Sequence, residues 1–138
     1  MTGYIGTNKA DFRILSSQVS RYGFPAVFFA TEMFLAELYA ADKCKKSASD
    51  KPGYVFSAAL PDRMHRVNFG GRFTYTPDFR NMIYKLHTRY PIVQMYNVVD
   101  SPSKEFFRVN TSDVIVVFDL SLISNLRMVR NDILHYMY

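Results

Sequence analysis

The chain has 138 residues, of which 49% are hydrophobic and 21% charged, with 12 Phe, 10 Tyr and no Trp; this fits one globular domain spanning residues 1–138 and excludes a disordered chain. A formal charge of +5 permits contact with nucleic acid, an acidic protein or a phosphate-bearing ligand without selecting among them. Cys44, the single cysteine, excludes an internal disulfide, the scattered His65, His87 and His135 show no metal-ligand spacing, and no apolar run approaches bilayer length, so no metal and no membrane contact are expected and a cytoplasmic location is the default.

Residues 3–7 read as a first strand. Residues 10–20, with Phe12, Ile14, Leu15 and Val19 near helical spacing, read as a helix ended by Gly23 and Pro25. A short buried strand is expected over 27–30, with Thr31 as N-cap of a helix over 32–41 that buries Phe34, Leu35, Leu38 and Tyr39. Residues 42–53 (DKCKKSASDKPG) read as a charged loop, in which Lys43, Lys45 and Lys46 would lower the thiol pKa of Cys44; a loop thiol without a role is the blander reading.

Residues 54–60 read as a strand, 61–71 as irregular, and Gly70-Gly71 as a tight turn before a strand over 72–76. Pro77-Asp78 opens a helix to His87 with Phe79, Met82, Ile83 and Leu86 on one face. Strand-like runs follow at 92–99, 106–109 and 114–118, the first two separated by the turn Asp100-Ser101-Pro102-Ser103, and Asp119 with Ser121 suits a turn cap. The tail, 126–138, fits a helix or a strand equally. The order of elements argues α+β rather than a doubly wound sheet.

Three segments carry a resemblance. Tyr4-Ile5-Gly6-Thr7 resembles the Tyr-His-Gly-Thr of toxin-type ADP-ribosyltransferases, the group that includes diphtheria toxin, with Ile5 where the His holds the adenosine ribose of NAD. Val27-Phe28-Phe29-Ala30-Thr31 is similar to Gly-Phe-Tyr-Ser-Thr; Phe29 and Tyr39 stand for the two tyrosines that sandwich nicotinamide. Val114-Ile115-Val116-Val117-Phe118-Asp119 resembles the late strand that opens with the catalytic Glu, which puts Val114 at the Glu position. The resemblance covers residues 3–41 and 112–123.

It implies a split, mainly antiparallel sheet with helices after the first two strands. It also implies a relic NAD groove at Tyr4, Ile5, Gly6, Thr7, Phe29, Thr31, Tyr39 and Val114. The three departures from the pattern keep bulk and delete polarity, and an apolar residue at the Glu position disfavours glycosidic cleavage. The expectation is a non-enzymatic binding or assembly protein with no cofactor, recognising a protein partner through aromatic and basic surface. By analogy such domains occur in phage and mobile elements, as virion components or inhibitors of host systems.

The alternatives are an active mono-ADP-ribosyltransferase using NAD, with Asp113 or Glu105 as carboxylate, and a nucleic-acid-binding domain. Asp113 neighbours Val114 and reaches its face only if a bulge re-aims it. Each groove residue also has an ordinary reading as strand, turn or core. Arg63, His65 and Arg66 read as a phosphate or partner contact, or as a solvated loop. The terminal run Ile133-Leu134-His135-Tyr136-Met137-Tyr138 reads either as an intersubunit contact in a homo-oligomer or as an end tucked into its own core.

Overall fold

A computed structural model describes residues 1–14, 22–48, 50–103, 106 and 110–138. In chain order the elements are β1 (Thr2–Thr7), β2 (Val27–Ala30), α1 (Met33–Lys46), β3 (Gly53–Ala59), β4 (His65–Phe73), α2 (Pro77–His87), β5 (Ile92–Val99), β6 (Thr111–Val117) and β7 (Ser124–Ile133). The seven strands form one sheet in the order β4-β5-β6-β2-β1-β3-β7. Every pairing is antiparallel except β4 with β5, which α2 joins as a parallel crossover. This is the α+β class that the order of elements predicts.

Pairing is uneven across the sheet. β1 pairs with β3 along six residues and β2 with β6 along four, but β1 and β2 meet only through Tyr4 and Ala30. Toward Thr7 and Val27 the two strands part. Two helices cover the sheet. The α2 face carries Phe79, Ile83 and Leu86 into a cluster with Phe69, Val93, Met95, Val114 and Val116, as its periodicity predicts. Thr76 caps this helix, its hydroxyl accepting from Phe79 N at 3.4 Å. On α1, Leu35, Ala36, Leu38 and Ala40 pack on Val55 and Ile133.

α1 lies on β1 in backbone contact. A Cβ placed on Gly6 would sit 1.8 Å from the Ala36 carbonyl oxygen and 2.7 Å from Ala40 N. Only glycine on the strand, facing alanines on the helix, allows this approach.

Several expectations are corrected. α1 continues to Lys46, so the first residues of the supposed charged loop are helical, and Cys44 is a buried helical thiol rather than a loop one. Helical spacing continued through the lysines because charged groups fit an exposed face. Phe34 is 50% exposed instead of buried, and Glu32, not Thr31, occupies the N-cap position, where its side chain does not cap the helix. The Thr31 hydroxyl instead donates to the Asp113 carbonyl at 3.3 Å.

The stretch read as irregular is β4, and Gly70-Gly71 (φ +66° and +74°) form a bulge inside it rather than a turn before it. Asn68 braces that bulge, accepting from Gly70 N at 2.8 Å and from Asn97 Nδ2 at 3.1 Å. The tail resolves as β7 followed by a short 3-10 turn. Ile133 is buried, while Tyr136 and Met137 are exposed. The Tyr138 hydroxyl donates to Glu37 at 2.6 Å, and Arg130 pairs with the same carboxylate. Asp119 caps its turn as expected, accepting from Ser121 N and Oγ.

Of the helix expected over 10–20, residues 10–14 carry no helix and 15–20 lie outside the described residues, as do Glu105 and most of the strand expected over 106–109. Phe106 itself packs in the α1 cluster. Among the described residues no helix is long and apolar enough to cross a membrane, and no cluster of His, Cys, Asp and Glu could hold a metal ion.

Candidate functional site

Where β1 and β2 part, a cavity of about 350 Å³ opens, at the small end of the range for small-molecule sites. Its walls come from residues distant in sequence. β1 contributes Tyr4, Ile5 and Gly6, β2 contributes residues 27–30, α1 contributes Ala36, Tyr39 and Lys43, and Val114 comes from β6. Phe12, Ala26, Thr74, Phe79 and Asp100 complete it. Six of the eight residues that the resemblance assigns to a relic groove therefore line one cavity: Tyr4, Ile5, Gly6, Phe29, Tyr39 and Val114. Thr7 is buried beside it with its hydroxyl accepting from Lys9 N at 3.2 Å, and Thr31 bonds to β6 as described.

Within the groove the chemistry is unevenly distributed. Phe29 is 0% exposed and packs with Val27, Ile115 and Val117, so its ring belongs to the core, the blander of its two readings. Tyr39 is half-buried, and its hydroxyl donates to Asp100 Oδ1. Asp100 is only 6% exposed and also accepts from the Thr74 hydroxyl at 3.3 Å. A buried carboxylate needs such donors, because stripping its water without replacing the hydrogen bonds is costly.

At another wall, the Lys43 ammonium turns against the strand and donates to Gly6 O at 2.9 Å. Desolvation holds its pKa below the ordinary lysine value; Asp42 opposes this shift and Lys9 adds to it. The groove thus combines an apolar and aromatic lining with one carboxylate and one ammonium.

Asp113 stands outside it. Its carboxylate accepts from Gln94 Nε2 at 2.6 Å, and Gln94 pairs with Ile115, whose side chain packs away from Val114. The irregularity between β5 and β6 lies on β5: Met95 pairs with Val114 and Val98 with Ser112. β6 therefore keeps strict alternation, and no bulge re-aims Asp113. Arg63, His65 and Arg66 are also remote from the groove, at the start of β4 on the outer edge of the sheet.

Sequence reasoning missed Asp100, Lys43 and Thr74. Asp100 ends a buried strand inside an Asp-Ser-Pro-Ser turn, a place where Asp most often serves the backbone. The groove brings it 61 residues back along the chain to Tyr39, a contact no local pattern signals. A second recess of about 440 Å³ lies along β3 and β7 near Ser57, Ala59 and Arg127. Thr2, Ser57 and Asn125 line it together with Arg127, the one charged group among the described lining residues.

Comparison with protein-family models, with characterised proteins and with solved structures finds no match to this chain.

Proposed function

We propose that the chain is a non-enzymatic binding or assembly protein on a catalytically degenerate ADP-ribosyltransferase-like scaffold. The observation that carries this reading is the convergence of residues 4–6, Phe29, Tyr39 and Val114 on one groove. These are the three segments on which the resemblance rests, and short matches arising by chance would have no reason to meet in space. The parting of β1 and β2 supports the split sheet that the resemblance implies. The apolar Val114 supports loss of catalysis, since a valine side chain offers no charge to a developing oxocarbenium ion.

The test is thermal unfolding across an NAD titration, with nicotinamide release followed in the same samples. NAD at about 100 times its dissociation constant would add roughly 2.7 kcal/mol and raise the midpoint by roughly 5–15 °C. The expected result is no release, with or without a shift. Release of nicotinamide overturns the reading.

Asp100 favours a second one, an active mono-ADP-ribosyltransferase in which this carboxylate takes the place of the absent Glu. In that case Asp100→Asn abolishes nicotinamide release and Asp113→Asn leaves it intact, because only Asp100 lines the groove.

A further inference from the structure

The positive charge is concentrated in one module. Residues 61–91 hold six Lys and Arg against two Asp, so this stretch carries +4 of the net +5. Both acids are already engaged: Asp62 by the N-terminal ammonium and Asp78 by Arg72 at 2.7 Å. Arg63, Arg66, Lys85 and Arg89 are all exposed, and among the described residues none of them meets a carboxylate. Such a surplus attracts a polyanion.

The same edge presents planar groups that are already ordered. His65 lies flat on Tyr90, with ring centroids 3.9 Å apart and planes 6° from parallel. On the next residue, and so on the other face of β4, the Arg66 guanidinium sits 4.8 Å from the centre of the Tyr96 ring. Farther along, Tyr75 is 65% exposed and stacks on Phe73. β4 is the last strand of the sheet, so its outer backbone groups face outward along nine residues. An acidic protein would use the charge alone. Unpaired bases would use the charge and also the stacked planes, because every base has a π-face.

We infer that the β4 edge is a binding surface for single-stranded nucleic acid. Arg63, Arg66 and Arg89 contact the phosphates, and the outer faces of His65, Arg66 and Tyr75 stack on bases. A duplex keeps its bases stacked on one another and satisfies only the charge. Arg63, His65, Arg66 and Arg89 do not line the groove, so this inference stands or falls separately from the NAD test.

The experiment is fluorescence anisotropy of the full chain with a labelled oligouridylate, across about 50–200 mM salt. Binding is expected to weaken linearly in log–log form. The Arg63→Gln, Arg66→Gln, Arg89→Gln triple variant should flatten the slope by about 2, at about 0.7 per phosphate contact in single strands. Tyr75→Ala should weaken binding severalfold with the slope unchanged. Arg127→Gln, on the opposite edge strand β7, should change nothing, and circular dichroism checks that each variant is folded. No binding, an unchanged slope in the triple variant, or polyglutamate competing as strongly as the oligonucleotide would each overturn the inference.

Discussion

Replacing Gly6 by Ala tests the contact on which the groove depends. The added methyl would lie 1.8 Å from the Ala36 carbonyl oxygen, whereas ordinary contact begins near 3.4 Å. Relief needs a displacement of about 1.6 Å, comparable to the rise of one helical residue. The obstructing atoms are helix backbone, so no rotamer change can accommodate the methyl. Overpacking of a core costs about 1–3 kcal/mol where side chains can adjust; here we expect about 3 kcal/mol or more, and a midpoint lower by roughly 10 °C. The movement would also break the Lys43 bond to Gly6 O.

Gly53→Ala provides the control. Its methyl would meet Cys44 Sγ at 3.0 Å and Ala40 Cβ at 3.1 Å, contacts that a few tenths of an ångström relieve, and it should cost well under half as much. Urea and thermal unfolding of both variants decide the matter. A Gly6→Ala loss below about 1 kcal/mol, or no larger than that of Gly53→Ala, would refute backbone contact between α1 and β1.

Three further outcomes are expected. Tyr39→Phe and Asp100→Ala should each cost about 1–2 kcal/mol, and the double variant less than their sum, because both remove the same buried bond; additive losses in urea unfolding would dissolve the pairing. Lys43 has a folded-state pKa lowered by desolvation. The unfolded chain therefore holds its proton more tightly, and stability gains a contribution as pH rises from the folded pKa toward the ordinary lysine value. Lys43→Met should remove that alkaline gain, which a matching pH series of melting curves would detect. Burial raises the thiol pKa of Cys44, so a thiol reagent should label it slowly in the native state and quickly in urea; rapid native labelling would contradict its burial.

Periodicity was enough to identify α2, because Phe79, Ile83 and Leu86 repeat on one face and Pro77-Asp78 marks its start. It was not enough at β4. There the Gly-Gly bulge interrupts alternation, and the exposed strand lacks the apolar residues that reveal a buried one. The end of α1 was misread for a related reason: lysines are equally at home on a helix face and in a loop. In the groove, the residues tied to local motifs were legible, while Asp100, Thr74 and Lys43 were not. Their role comes from which strands neighbour one another.

Composition, charge and apolar spacing by themselves determined the α+β class and the identity of most strands, whereas the segments bordering the groove were singled out by resemblance alone. Those properties are local, since they follow from how a short run of side chains partitions between water and core. Only the tertiary structure decided that β1 and β2 meet at a single pair, that Asp100 lies under Tyr39, that Asp113 faces away, and that Arg63, Arg66 and Arg89 gather near one edge. Each of these depends on strand order and register, which long-range packing selects and no short stretch of sequence encodes.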